Sequence, residues 1–389
     1  MKQVNTIIKT LKQHLFITVN LLMKSTLFAA LIVTTGAVQA ESNSKKVLMV
    51  VSGNGHSAKE GEEKPGYEFG EFSKAYAVFK DNGITVDIAS PKGGQVEADK
   101  YNPEKPYNAV VLADKAIMAK LDNTLATSSI DAKDYDAVFI VGGKGAMFDL
   151  PKDTALHKVI ADIYQQQGIV AAVCHGPAAL VNVKLKDGSY LVANKTVNSF
   201  TNQEEKLFGQ KWIKDFDFML EDKLSERGAN FQSSKIMLNH VAIDGRLITG
   251  QNPTSTVGVA TALVKSLGLT PVKSETEIED KTMAVVAKYI DGDKSALEIL
   301  ANNQDQYYIP LVGMYGFYFL KIADTTKDFE QALALMKVAQ KTINNPMLDM
   351  KIAKTQAKLG QTEDAKITLN QLITAKPDYK PAQDMLQTL

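Results

Sequence analysis

The chain has 389 residues, 45% of them hydrophobic and 23% charged, and its 44 basic and 44 acidic residues cancel to no net charge. That is material for two globular domains or one large one, and not for a disordered or fibrous chain. No excess of basic residues marks a nucleic-acid footprint or an anionic-membrane patch, and a single cysteine, Cys174, excludes an internal disulfide.

From Met23, the run Met-Lys-Ser-Thr-Leu-Phe-Ala-Ala-Leu-Ile-Val-Thr-Thr-Gly-Ala-Val-Gln-Ala has a lysine, an apolar stretch and a small-x-small ending at Val38-Gln39-Ala40. This is the pattern of a secretory signal with cleavage after Ala40. The apolar stretch, residues 27–38, is too short for an ordinary transmembrane helix. A periplasmic or secreted protein is therefore expected, without a stable membrane anchor once residues 1–40 are removed. Residues 1–22 carry three lysines and a second apolar patch, more than a signal needs, so Met23 is an alternative start.

After a polar linker, Lys46-Val-Leu-Met-Val-Val-Ser reads as the first core strand, followed by a loop over 53–66 rich in glycine and charge. The stripe Phe72, Tyr76, Val78 and Phe79 predicts a helix over 71–82 that stops at Gly83. Residues 84–90 alternate as a second strand. Residues 95–133 show no clear period and read as an insertion. Asp136-Ala-Val-Phe-Ile-Val is a third strand that runs into Gly142-Gly-Lys-Gly, and a helix is predicted over 153–167.

Next comes Ile169-Val-Ala-Ala-Val-Cys-His-Gly-Pro. Five small or β-branched residues make a fully buried parallel strand, and Gly-Pro turns the chain toward a helix. Strand, tight turn and helix start form a nucleophile elbow, in which N–H dipoles favour a thiolate at Cys174 and His175 serves as its proton partner. The competing reading is a buried structural cysteine. The alternation of strands, loops and helices predicts an α/β fold: a flavodoxin-like, doubly wound, mostly parallel sheet. Its ligands sit at the carboxyl ends of the strands, where the Gly142 loop and Cys174 both lie.

Lys195-Thr-Val-Asn-Ser-Phe-Thr then reads as a short strand leading into a polar helix start, with helix-rich sequence around 212–227. A hairpin turning at Asp244-Gly245 and a helix over 254–267 close the α/β domain, assigned to residues 41–272. Residues 273–389 read as helical throughout. Ala332 and Met336 precede Ala365 and Leu369 by 33 residues, near the period of a tetratricopeptide-type helix pair, and Ala296-Leu297 looks like a degenerate third copy. A generic helical bundle is the alternative. Either way this all-α domain is a packing or docking module without evident catalytic residues.

Four stretches, Ala171-Ala-Val-Cys-His-Gly-Pro-Ala, Asp87-Ile-Ala-Ser-Pro-Lys-Gly-Gly, Gly142-Gly-Lys-Gly-Ala-Met-Phe-Asp-Leu-Pro and Leu247-Ile-Thr-Gly-Gln-Asn-Pro, make residues 45–270 resemble the ThiJ/PfpI superfamily, whose fold is that of class I glutamine amidotransferases. The adjacent cysteine and histidine look most like its heat-shock, glyoxalase III branch. The resemblance implies Cys174 as nucleophile and His175 as general acid/base. It also implies Glu205 as the carboxylate orienting the imidazole, with Glu204 the alternative, and Glu71 as the carboxyl against the sulfur, with Glu68 competing on spacing. Gly142, Gly143, Lys144 and Gly145 are the substrate-binding candidates, and N–H groups of this loop and of His175 are candidates for an oxyanion site. Relatives usually carry histidine at the position of Lys144, which here places a flexible cation at the pocket rim.

The remaining histidines, His14, His56, His157 and His240, show no metal-ligand spacing, so no metal and no cofactor are expected. The implied function is an exported, glutathione-independent, glyoxalase III-like enzyme converting methylglyoxal or a related small aldehyde to a 2-hydroxy acid. The alternatives are a chaperone-like or redox-sensing binding protein, or a cysteine peptidase or amidase. Expected partners are a small aldehyde and a protein docked on the helical repeats, and the resemblance also admits a homodimer.

Overall fold

The computed structural model describes residues 44–55, 64–273 and 276–389. The segment read as a signal and His56 lie outside the described residues. From Lys45 to Leu389 the chain forms one compact unit.

Its centre is a seven-stranded sheet whose strands, taken across it, are residues 125–126, 85–90, 46–50, 137–140, 169–173, 247–250 and 241–244. In chain order the first elements are β1 (Lys46–Val50), α1 (Phe69–Asp81), β2 (Thr85–Ser90), α2 (Pro106–Ala113), α3 (Lys115–Asp122), β3 (Leu125–Ala126), β4 (Ala137–Ile140), α4 (Ala146–Asp149), α5 (Thr154–Gln165) and β5 (Ile169–Val173). There follow β6 (Thr196–Val197), α6 (Asn202–Phe208), α7 (Leu220–Glu226), β7 (Asn230–Phe231), β8 (Val241–Asp244), β9 (Leu247–Gly250) and α8 (Thr256–Ser266). All pairings in the large sheet are parallel except β8 with β9.

Strand alternation sorts the core into two layers. Val47, Met49, Ala171 and Val173 pack with α1 and α8, while Leu48, Val50, Val170 and Ala172 pack with α5 and α7 on the other face. This is the doubly wound sheet that the strand pattern predicts.

Two local readings change. Residues 95–133 are no insertion in the sheet's terms: they supply α2, α3 and the edge strand β3, whose two residues pair with β2 and are too few to show a period. The short strand near residue 195 joins β7 in a separate two-stranded sheet.

Beyond α8 every element is helical: α9 (Ile278–Ile290), α10 (Lys294–Asn302), α11 (Ile309–Leu320), α12 (Thr326–Gln340), α13 (Pro346–Lys358), α14 (Thr362–Ala375) and α15 (Lys380–Thr388). Successive helices pack as hairpins, α9 with α10, α11 with α12 and α13 with α14, and α15 packs on α14. Ala296, Ala332 and Ala365 sit fully buried on the second helix of each hairpin. The first two hairpins share a core with Ile236 and Leu238 of the α/β region. Lys74 to Asp280 (2.7 Å), Lys105 to Glu279 and an edge-on contact of Phe208 with Tyr318 add further ties between the two regions.

Candidate active site

Cys174 follows β5 directly and has φ of +60°, the left-handed region that an L side chain enters only at a cost of about 1–3 kcal/mol. Its backbone is pinned on both sides: its N–H donates to the Gly250 carbonyl (2.8 Å), and its carbonyl accepts from the Phe200 N–H (2.9 Å). The chain after it forms the 3-10 turn Gly176–Leu180, not an α-helix. So short a turn contributes little dipole, and burial pushes the Cys174 thiol well above its ordinary range, with the neighbouring Glu71 carboxyl adding to the effect. The dipole support expected at the elbow is therefore weak, and forming the thiolate calls for a base nearby.

That base is adjacent. His175 Nδ1 lies 3.3 Å from Sγ, and Nε2 lies 2.7 Å from Glu205 Oε2. With Glu205 as the acceptor, the proton is assigned to Nε2, which leaves Nδ1 to take a proton from sulfur. Phe200 covers the imidazole at 4.5 Å between ring centroids, and both His175 and Glu205 are buried.

The choice between the two glutamates is settled by their neighbours. Glu204 closes a capping box with Thr201 at the start of α6 and also accepts from the Met237 N–H (2.6 Å), Gln251 Nε2 (3.1 Å) and Asn252 Nδ2 (2.9 Å). It anchors the chain, while its neighbour on α6 turns to the imidazole. Gln251 and Asn252 belong to the Leu247-Ile-Thr-Gly-Gln-Asn-Pro stretch, whose part in holding Glu204 has no local signal.

Glu71, in the first turn of α1, is buried beside Cys174, accepts from the Gly142 N–H through Oε2 at 2.8 Å, and has no hydrogen-bond partner on Oε1 among the described residues. Burial, and then the charge of Glu68, push its carboxyl well above the usual range, which favours the protonated form beside the sulfur. Glu68 is instead the N-cap of α1, bonded to the Gly70 N–H.

The glycine loop divides. A Cβ at Gly142 would meet Glu71 Oε2 at 2.6 Å and the Cys174 Cβ at 2.8 Å, so only glycine allows this approach. Because its N–H is committed to Glu71, Gly142 is not an oxyanion donor; the N–H groups of Gly143 and His175 remain the candidates. Gly145 packs against Gly66 and Ser52, away from the thiol. Lys144 sits close enough for its charge to offset part of the upward shifts of both Cys174 and Glu71.

His157 bonds the Leu150 carbonyl through Nε2, and His240 is half-buried. Among the described residues no cluster of His, Cys, Asp and Glu has the arrangement of a metal site.

A sequence model of the DJ-1/PfpI family matches residues 64–266. The chain belongs to the DJ-1/PfpI family. It is 35% identical over 214 residues to the glutathione-independent glyoxalase hsp3102 of Schizosaccharomyces pombe, covering 52% of this chain and 89% of that one. Glyoxalase 3 of Candida albicans is 30% identical over 227 residues, covering 55% and 95%. Among solved structures, the 24 kDa rapid encystment protein of Francisella tularensis superposes with a TM-score of 0.54 at 36% identity, covering 57% of this chain and 99% of that one. The glyoxalase III of Candida albicans superposes at 0.53 with 26% identity, covering 57% and 97%. Each of these family matches thus spans little more than half of the chain.

Proposed function

We propose that the protein is a glutathione-independent glyoxalase acting on methylglyoxal or a similar small 2-oxoaldehyde. The observation that carries this reading is the relay from Cys174 Sγ through the His175 imidazole to Glu205, at 3.3 and 2.7 Å. Its support from outside is the name of the matched relatives.

In this reading Sγ attacks the aldehyde carbon as its proton passes to His175 Nδ1, and Glu205 stabilises the imidazolium. The imidazolium protonates the aldehyde oxygen to give a hemithioacetal. His175 then removes the proton from that carbon, and a proton is delivered to the former ketone carbon, leaving a thioester of lactate on Cys174. Water hydrolyses the thioester, so one methylglyoxal and one water leave as one lactate with no net redox change. The Glu71 carboxyl beside the sulfur helps it leave, and the N–H groups of Gly143 and His175 are the candidate donors to the developing oxyanion. We read residues 1–40 as an export signal and the helical region as a tetratricopeptide-type module for a protein partner.

The test is lactate formation from methylglyoxal without glutathione, by the protein beginning at Glu41 and by its Cys174→Ala variant. Turnover by the first and none by the second is expected; equal turnover, or none by either, overturns the reading. N-terminal sequencing of exported protein, expected to begin at Glu41, tests the signal.

A further inference from the structure

Between α1 and the helical region lies a cavity of about 400 Å³. Much of its wall is apolar, built by Phe208, Ile236 and Met237 from one region and Met283, Leu311 and Tyr315 from the other. Toward α1 the lining becomes acidic, with Glu68, Glu71, Glu279 and Asp280 against a single lysine, Lys74.

Most of these acids are already matched. Asp280 pairs with Lys74, Glu279 pairs with Lys105, and Glu71 accepts from the Gly142 N–H through Oε2, its Oε1 having no partner among the described residues. Glu68 bonds only the Gly70 N–H, through Oε1 at 3.3 Å, and has no salt bridge among the described residues. Burial raises its carboxyl, and Lys144 and Lys74 offset only part of that. A second group is also unmatched: Tyr315 is 4% exposed, lines the cavity, and its hydroxyl has no hydrogen-bond partner among the described residues. Buried hydroxyls of native proteins are nearly always paired, so one left open on a cavity wall marks a place for a ligand atom. On the same wall Met237 is held at φ of +54°, its N–H on Glu204 and its carbonyl accepting from Thr254 Oγ1 at 3.1 Å. Strained backbone of this kind persists where a binding surface is held in shape.

We propose that this cavity binds a small molecule with an aromatic or other apolar body and one cationic amine head, the amine on Glu68, the body among the methionines and aromatic rings, and the Tyr315 hydroxyl as a second polar contact. An anionic head would meet a surplus of carboxylates. A neutral filler would leave Glu68 without a counter-charge. Aromatic faces and methionine sulfur suit a flat, polarizable body. Glu71 forms part of the wall and lies beside Cys174, so a cation bound beside it favours negative charge on the Glu71–Cys174 pair and speeds reaction of the thiol. The site stands on the cavity itself and does not depend on which reaction Cys174 performs.

The experiment is calorimetric titration of the full chain with phenethylamine, 2-phenylethanol and 3-phenylpropanoate, which share a phenyl body and differ in head group. One phenethylamine per chain is expected to bind at least tenfold more tightly than the alcohol, with no binding of the carboxylate. Glu68→Gln, close in shape to the native residue, is expected to erase the preference for amine over alcohol. Leu311→Trp, which fills the cavity, is expected to weaken both at least tenfold. No saturable binding, equal binding of the carboxylate, or an amine preference unchanged in Glu68→Gln would each overturn the proposal. Alkylation of Cys174 by iodoacetamide reads the coupling: a severalfold faster rate with saturating phenethylamine is expected, and an unchanged rate refutes the link through Glu71.

Discussion

The α/β region and the helical region are held together by the same kinds of apolar core, yet they differ in what they bury besides. Among the described residues of the α/β region three glutamates, Glu71, Glu204 and Glu205, are almost completely withdrawn from solvent, and four non-glycine residues, Gln167, Cys174, Asn194 and Met237, take positive φ. In the helical region, among the described residues, no non-glycine residue has positive φ. The one buried acid there, Asp328, closes a capping box with Thr325. Of the residues with positive φ, Cys174 and Met237 lie at or next to the candidate site, where the three buried glutamates also gather, while the helical hairpins act through what they cover.

Substitutions in the two regions should therefore fail in different ways. The largest effect is expected at the relay: Cys174→Ala should abolish lactate formation from methylglyoxal, at least about 10³-fold, while chemical denaturation shows little change in stability, because alanine keeps the backbone geometry. Glu205→Gln should lower kcat by about 10²–10⁴-fold by denying the imidazolium its carboxylate, again with small change in unfolding. In the helical region the signs reverse. Met336, fully buried between the hairpins, should cost about 2–5 kcal/mol as Met336→Ala in urea unfolding, with kcat of the remaining folded protein unchanged.

A smaller, pH-dependent effect belongs to Asp149, which holds Ser52 Oγ and the Gly53 N–H and is raised by burial to about 6. The folded state then keeps this proton more tightly than the unfolded chain. Its contribution to stability is present below the unfolded value of about 3.8 and is lost as pH rises through about 6. Comparing unfolding free energies at pH 4 and pH 7, wild type should lose about 2 kcal/mol that Asp149→Asn does not. The smallest effect on stability is that of Cys174→Gly, which should stabilise the fold by about 0.5–1 kcal/mol in urea unfolding by relieving the left-handed backbone.

The parts of the molecule that could be read in the sequence are those whose cause is local. Ile169 to Val173 announce a buried strand by composition, and Cys-His-Gly-Pro announces the turn. Glu204 and Glu205 could not be separated that way, because adjacent helix residues point about 100° apart and only the surroundings decide which one meets the imidazole. Residues 95–133 concealed β3 because a two-residue edge strand has no period. Lys144 was legible as a departure from the family pattern, but the use of the Gly142 N–H to hold Glu71 was not, since it depends on a residue 71 positions away. The tie from Lys74 to Asp280 spans 206 positions and leaves no local mark on either segment.

Ile236 and Leu238 bear on whether the two regions can be separated. They belong by connectivity to the α/β region and by packing to the helical core, and Met237 between them is gripped by Glu204, the residue beside Glu205. The helical region therefore shares its core with a loop whose backbone is held by Glu204. Cutting the chain after Pro271 should expose Ile236 and Leu238 to water and loosen the support of Glu204, yielding a fragment that aggregates instead of a smaller working enzyme. The helical region thus serves as a buttress for the loop that carries Ile236 and Leu238.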